Sequence, residues 1–313
     1  MTAIDAPRTP PRLPVPLVRA AVRLMGRFVF REDLPVATQR SRLATVAKTA
    51  ALPSGVELTS RHLGGVEVDE VSRSGSESGM EVVVVHLHGG GYVVGTPATS
   101  LAWAAALAAS SGATVVLPDY RLAPEHPFPA ALDDAAAVWK ELTATTDPSL
   151  IVMSGDSAGA GLALALTARL REEGSPLPAG LILISPWLDL TANRRGDRDL
   201  ARRDPMLSAG WLERSADAYG ASTPLADAGI SPLRGSLVGL PPALVQAGAD
   251  DILVPDSVRF ARAAHEAGSD VTLSIANGLW HDFPMQAGML AAADSAVRQA
   301  ATFIERVTGP RPA

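Results

Sequence analysis

The sequence predicts an α/β protein with a mostly parallel, doubly wound central sheet. Short apolar runs alternate with Ala- and Leu-rich helical patterns along most of the chain, and this alternation is typical of β-α-β units that share one sheet. The run from Glu81 to His88 is almost continuously apolar, as expected of a strand buried on both faces. The segment Gly155 to Gly159 has the spacing of a strand that stops, turns sharply at Ser157 and starts a helix.

The elements follow one another in the order that such a sheet requires. The expected strands are residues 56–60, 66–72, 81–88, 113–117, 150–153, 181–184, 243–247 and 271–276. The expected helices are residues 98–110, 130–143, 162–173, 209–219, 256–267 and 286–307. The alternation lapses between Pro186 and about residue 225, so we interpret this stretch as an insertion that forms part of a cap. A boundary is expected near residue 50, where Pro-rich and helical pieces give way to β-like sequence.

Composition limits the classes of function. The chain has 313 residues, of which 47% are hydrophobic and 19% charged, with a formal net charge of -6; these values are ordinary for a globular protein and exclude a basic face for nucleic acid. The absence of cysteine excludes disulfides, thiolate metal sites and Cys nucleophiles. No run approaches the ~18 apolar residues of a membrane span. We therefore expect a cytoplasmic enzyme without a membrane anchor.

An amphipathic, basic helix is expected over residues 17–30. Arg19, Arg23 and Arg27 are spaced four apart and share one face. Such a helix either lies on a membrane surface or packs against the body of the protein. We favour packing, through an apolar face formed by Leu17, Val18, Ala21, Leu24 and Phe28.

Ser157 is the candidate nucleophile, and His281 is the candidate base that takes its proton. Of the six histidines, only His281 lies in a loop after the last strand, where the carboxyl edge of the sheet returns it toward Ser157. His86 and His88 lie on one face of the central strand and are interpreted as structural residues that hold the glycine loop. Of the remaining histidines, His62 lies outside the sheet core, His126 lies in a Pro-rich loop and His265 lies in a helix.

The carboxylate that orients the base should follow the strand at residues 243–247. Asp251 is preferred because the apolar residues behind it can bury a short loop, and Asp250 is the alternative. Asp256 follows Pro255 at a helix start, where helix capping explains it. The order Ser157, Asp251, His281 is the nucleophile, acid, base order of the α/β-hydrolase fold.

Backbone N–H groups are the expected donors to the oxyanion. Gly89, Gly90 and Gly91 follow the central strand, and Ala158 follows the nucleophile. Glycine suits this position because a substrate carbonyl must approach the main chain closely. A merely flexible turn is the alternative, whereas a phosphate loop is disfavoured because no Gly-Lys-Ser/Thr follows.

Three motifs resemble the signature set of the hormone-sensitive-lipase-like family of bacterial esterases. They are His88–Tyr92, Tyr120–Glu125 and Gly155–Gly159, and the match extends to Asp204–Ser208 and Ile230–Leu233. The resemblance implies an α/β-hydrolase fold, with a catalytic domain over residues 51–313 and a helical cap. The cap would consist of residues 1–50 and the insertion at about 187–225.

The resemblance also implies roles for individual residues. Ser157, Asp251 and His281 take the triad roles, with oxyanion donors among Gly89, Gly90, Gly91 and Ala158. Many members have Asp-Pro-Leu where this chain has Asp251-Ile252-Leu253, which keeps Asp250 as an alternative. Arg121 and Glu125 are expected to tie the glycine loop to the nucleophile turn.

The implied activity is hydrolysis of short- to medium-chain carboxylic esters through an acyl-enzyme, without metal or organic cofactor. Substrate-pocket candidates are Tyr92, Asp156, Trp187, Met206, Leu207 and Trp211. The same machinery would serve a lactonase, deacetylase or amidase. A ligand-binding receptor is the alternative from another class, although the presence of His281 argues against it. The expected partner is a small ester, and the resemblance also allows a homodimer through the last strand and helix.

Overall fold

A computed structural model describes residues 12–47, 55–75, 82–192 and 198–309. Within these ranges the strands form one eight-stranded sheet in the order β1-β2-β4-β3-β5-β6-β7-β8. The pairs β1-β2 and β2-β4 are antiparallel and the others are parallel. The strands are β1 Val56–Leu63, β2 Val66–Arg73, β3 Val83–Leu87, β4 Thr114–Pro118, β5 Ile151–Asp156, β6 Gly180–Ile184, β7 Ala243–Gly248 and β8 Val271–Ala276.

Of the helices in the described residues, two precede the sheet, one follows it, and the others lie in connections between parallel strands. They are α1 Val15–Val29, α2 Val36–Ala47, α3 Leu101–Ser111, α4 Ala130–Thr143, α5 Ala158–Glu172, α6 Arg198–Arg203, α7 Ala209–Gly220, α8 Val254–Glu266 and α9 Ala291–Thr308. The bounds of α4 and β8 are those predicted. Two predicted helices begin later because a short 3-10 turn precedes each, at Pro97–Thr99 and at Phe283–Gln286.

The sheet is buried on both faces by helices. Val85 of β3 belongs to a hydrophobic cluster that includes residues of α4, α5 and α8, whereas its neighbour Val84 belongs to a second cluster that includes residues of α3 and α9. Successive residues of a strand point to opposite faces, so a central strand between two helical layers needs apolar residues at every position. This explains the continuous apolar run that the sequence shows there.

Helix α1 packs against the protein as predicted, but of the predicted packing face only Val18 is buried. Val18 and Val22 are buried, whereas Leu17 is 57% exposed and Leu24 is 71% exposed. Gly26 determines the orientation, since a Cβ there would lie 2.6 Å from the carbonyl oxygen of Met206. The buried side of α1 packs against Leu279, Trp280 and Phe283. Ala21 and Phe28 of the predicted face are exposed as well.

Two expectations fall wholly or partly outside the described residues. The domain boundary near residue 50 lies outside them, and so do residues 193–197 of the insertion at about 187–225. Among the residues that the structure does describe, no helix is long and apolar enough to cross a membrane.

We expect the Gly159→Ala variant to lower the free energy of unfolding by about 1–3 kcal/mol. The new Cβ would lie 1.9 Å from the carbonyl oxygen of Leu87 in β3, so the backbones must separate. Urea denaturation measures the change. Gly235→Ala is the control because its nearest contact is the Ala228 methyl at 3.2 Å, and an equal loss in both variants would contradict the argument.

Candidate active site

Ser157 sits on a strained turn between β5 and α5. Its φ of 53° and ψ of -118° lie outside the ordinary regions, and its N–H donates to the carbonyl oxygen of Ile184 at 2.8 Å. The flanking glycines are required because a Cβ on Gly155 would lie 2.4 Å from the backbone of Gly159. Strain of this kind persists only where the surroundings enforce it. The backbone around Ser157 therefore holds this residue in a fixed position at the edge of the sheet.

The glycine loop after β3 faces this turn. A Cβ on Gly89 would lie 2.2 Å from the Asp156 carboxylate, and one on Gly90 would lie 2.1 Å from the carbonyl oxygen of Val94. Gly90 and Gly91 also have positive φ angles of 119° and 62°. Within the described residues, the N–H groups of Gly90, Gly91 and Ala158 have no hydrogen-bond acceptor, so these donors remain available to a ligand.

A buried network connects the glycine loop to the nucleophile turn. Asp156 accepts hydrogen bonds from Nε2 of His86 at 3.0 Å and from Ser100 Oγ at 3.3 Å. Burial opposes ionisation of Asp156, but the hydrogen bond from His86 and the Gly89 backbone hold its pKa below the ordinary value. These partners give Asp156, a pocket candidate, a role in holding the loop.

His88 is a neutral structural residue. Its ring stacks on Tyr120 with 4.2 Å between centroids, and the Tyr120 hydroxyl donates to the His88 carbonyl oxygen at 2.6 Å. Burial lowers the pKa of His88 to about 4. The Nδ1 atom lies 2.8 Å from the carbonyl oxygen of Gly89, so His88, directly after β3, holds the glycine loop as predicted.

Asp251 and His281 meet at the carboxyl edge of the sheet. The Nδ1 atom of His281 lies 3.0 Å from Oδ1 of Asp251, and both side chains are buried. Their loops are tied together, since the N–H of Asp250 donates to the carbonyl oxygen of Leu279 at 2.8 Å. The Asp250 side chain instead pairs with Arg19 and Arg203. Of the two alternatives, Asp251 therefore contacts the base.

Asp204 forms a third buried carboxylate beside this pair. It accepts hydrogen bonds from the N–H groups of Ile252 at 3.0 Å and Met206 at 2.8 Å. Burial and the nearby charge of Asp251 raise the pKa of Asp204 to about 6. Ligand atoms of Asp204, Asp251 and His281 all lie within 4.8 Å of one another. Asp204 and Asp251 both accept from peptide N–H groups, and Asp251 contacts His281, so the cluster has the character of a hydrogen-bonded network.

The Nε2 atom of His281 contacts Asp282. The distance between Nε2 and Oδ2 of Asp282 is 3.0 Å. Burial opposes the imidazolium, but the charges of Asp282 and Asp251 raise the pKa of His281 well above its ordinary value.

Among the described residues, the Ser157 hydroxyl has no hydrogen-bond partner, so no hydrogen bond connects it to His281. Catalytic hydrogen bonds are often long without substrate and tighten in the complex.

The expected roles of Arg121 and Glu125 are corrected. Arg121 pairs with Asp134 at 2.7 Å, and Glu125 pairs with Arg40 at 2.7 Å, so neither bridges the glycine loop and the nucleophile turn. Arg40 also donates to the carbonyl oxygen of Val93 at 2.8 Å, which attaches α2 to the residues after the glycine loop.

Asp256 is not a helix cap. Helix α8 begins at Val254, which places Asp256 inside its first turn. The buried Asp256 carboxylate accepts from the N–H groups of Leu188 at 2.9 Å and Asp189 at 3.1 Å. It therefore holds the loop that follows β6.

Of the remaining pocket candidates, Trp211, Trp187 and Tyr92 lie near the turn or the glycine loop. Trp211 of α7 lies against Gly91, where a Cβ would meet its ring at 2.8 Å. Its Nε1 donates to Oε1 of Gln39 in α2 at 2.7 Å. Trp187 and Tyr92 are buried around Gly161, and Met206 and Leu207 follow Asp204. Their contact with substrate stays a prediction.

Sequence reasoning missed Asp282, the buried role of Asp204 and Arg19. The sequence signal for Asp282 was an acid directly after His281. Arg19 donates to the carbonyl oxygen of Gly278 at 3.0 Å and lies over the Trp280 ring at 5.2 Å. It therefore contacts both loops that carry the acid and the base.

Comparisons with known proteins agree with this geometry. Residues 84–285 match the family with the alpha/beta hydrolase fold. The chain belongs to this family. It is 36% identical over 291 residues to an esterase of Acinetobacter venetianus (92% of this chain, 93% of the relative) and 37% identical over 227 residues to an acetyl-hydrolase of Streptomyces hygroscopicus (72% and 76%).

A solved structure shows the same fold. The crystal structure of a hormone-sensitive lipase from a metagenome library has a TM-score of 0.88 and 33% identity to this chain, covering 95% of this chain and 99% of the lipase. The predicted α/β-hydrolase fold and the resemblance to hormone-sensitive-lipase-like esterases are thus confirmed. This member of the family is a serine ester hydrolase.

We expect the Arg19→Met variant to lower kcat about tenfold while KM changes less, because small displacements of catalytic groups are costly. Methionine keeps an apolar stem against Trp280 but loses the contacts to Asp250 and Gly278. Steady-state hydrolysis of a p-nitrophenyl ester measures both constants. Arg23→Met, one turn along on the exposed side of α1, is the matched control; equal kcat values for the two variants would contradict this role.

Proposed function

We propose that the chain is a carboxylesterase that hydrolyses short- to medium-chain acyl esters through a Ser-His-Asp triad and an acyl-enzyme. The proposal is carried by one arrangement. The strained Ser157, the unpaired N–H groups of Gly90, Gly91 and Ala158, and the pair of Asp251 and His281 all lie at the carboxyl edge of one sheet. Ligands bind at this edge in doubly wound sheets.

In the acylation step, the Ser157 proton passes to Nε2 of His281 while Oγ bonds to the ester carbon. The carbonyl electron pair moves onto oxygen, where the N–H groups of the glycine loop and Ala158 stabilise the negative charge. Asp251 stabilises the imidazolium through Nδ1. Collapse expels the alcohol, which takes the proton from His281 and leaves an acyl ester on Ser157.

In the deacylation step, His281 takes a proton from water as the water oxygen bonds to the acyl carbon. The second tetrahedral intermediate uses the same donors. Its collapse breaks the bond to Oγ, and Ser157 recovers the proton from His281. The products are a carboxylic acid and an alcohol, so the step needs no metal or redox cofactor.

One contact beside the proposed oxyanion donors favours short acyl groups. The Trp211 ring lies against Gly91, one of the proposed oxyanion donors, which limits the space beside the reacting carbonyl. One relative is an acetyl-hydrolase, which agrees with a small acyl group. The same machinery would open a lactone or cleave an amide that fits, and substrate tests distinguish these outcomes.

We expect Ser157→Ala to lower kcat for p-nitrophenyl butyrate by about 10⁴-fold or more, because the covalent intermediate is lost. A fluorophosphonate probe should label the parent enzyme and the control Ser110→Ala, whose hydroxyl is exposed on α3, but not the Ser157 variant. Near-parental turnover by Ser157→Ala would rule out this nucleophile. An unlabelled, inactive parent would favour a receptor.

We expect kcat/KM to fall by about tenfold or more from p-nitrophenyl butyrate to the palmitate, since each buried methylene that fails to fit weakens transition-state binding. A panel of acetate, butyrate, octanoate and palmitate esters measures this below their solubility limits. A maximum at palmitate would contradict the assignment of short and medium chains.

A further inference from the structure

Asp282 occupies an unusual position beside the base. It directly follows His281 and has φ 54° and ψ 33°, in the left-handed region. Its N–H donates to the Ser185 hydroxyl at 3.0 Å, and Ser185 itself has a positive φ of 44°. Backbone strain at two contacting residues indicates that the surroundings enforce the turn. The turn directs the Asp282 carboxylate back toward the imidazole of the preceding residue.

The two ring nitrogens of His281 have carboxylate partners on both sides. Nδ1 lies 3.0 Å from Asp251, and Nε2 lies 3.0 Å from Asp282. The Nε2 atom carries either one proton or one lone pair. It therefore cannot hydrogen-bond to Asp282 and accept the proton of Ser157 at the same time.

The proposal rests on the function proposed above. We infer that Asp282 is a positioning residue that competes with Ser157 for Nε2 of His281. The triad becomes competent when the proton shared by His281 and Asp282 has been lost, and Asp282 thereby sets the lower pH limit of activity.

The surrounding groups support a proton shared by this pair. Besides Asp251, the titratable groups near this edge include Asp156 at the end of β5, Asp204 before α7, His86 of β3 and His88 directly after β3. Burial raises the pKa of Asp282 to about 8, and Asp156 adds to this while His281 opposes it. Arg19, the nearest cation described above, pairs with Asp250 instead.

Either location of the shared proton blocks the base. On His281 it makes an imidazolium that donates to Asp282 and cannot accept from Ser157. On Asp282 it makes a carboxylic acid that donates to the Nε2 lone pair. When it is lost, the ionised carboxylate repels that lone pair and frees it for Ser157. Within the described residues, Oδ1 of Asp282 has no hydrogen-bond partner, so rotation of the carboxylate away from His281 breaks a single contact.

The test is the pH profile of kcat/KM for Asp282→Asn. Asparagine tolerates the left-handed backbone and removes the charge. We expect the acidic limb to move to lower pH by about one unit or more, so that kcat/KM well below the parental limb rises about tenfold. Asp217→Asn, at an exposed acid of α7, should leave the limb in place. An unchanged limb in Asp282→Asn would overturn the inference.

A second readout separates this inference from the proposed function. In the Ser157→Ala background, ¹⁵N-histidine NMR measures the pKa of His281 without turnover, and Asp282→Asn should lower it. Asp282→Gly, which also suits the left-handed backbone, gives the same measurement if the Asn variant does not fold. If Asp282→Asn lowers the pKa of His281 but the parent chain hydrolyses no ester, the contact is supported and the esterase is refuted. If the pKa is unchanged and the parent chain is an active esterase, the inference is refuted and the esterase is supported.

Discussion

Three backbone segments meet at the turn that carries Ser157, and the site depends on how closely they approach. Gly155 and Gly159 let β5 turn into α5, and Gly159 also lies against the carbonyl oxygen of Leu87 in β3. The glycine loop that follows β3 is thereby placed beside the nucleophile by backbone contact rather than by adjustable side chains. Preorganisation of this kind stabilises a developing oxyanion without reorganisation during the reaction.

The same sheet edge concentrates buried acids. Asp156, Asp204, Asp251 and Asp282 are all buried, and their partners are mostly peptide N–H groups, hydroxyls and imidazoles. In such surroundings the negative potential favours a protonated His281, the species that forms in the transition state. The same potential lowers the fraction of His281 that is neutral at a given pH, because a raised pKa keeps the base protonated to higher pH. Stabilisation of the transition state and availability of the base are therefore opposed in this site.

The sequence predicted the features that depend on local pattern. Apolar runs, helical patterns and the glycine spacing around Ser157 are properties of neighbouring residues, and the mostly parallel sheet between helices followed from them. The errors concern partners that are distant in the chain. Asp256 binds the loop after β6, and the face of α1 is set by the backbone of Met206 at Gly26. Asp282 reaches His281 only because Ser185 fixes a left-handed turn, which no local pattern encodes.

Helix α1 connects these local and distant effects. Its inner residues Val18 and Val22 pack with Trp280, the residue before the base, and Arg19 reaches the loops of both Asp250 and Gly278. Its outer side is exposed, so the helix is held from one side only. Arg19 and the apolar residues of α1 therefore fix the loops of the acid and the base relative to one another.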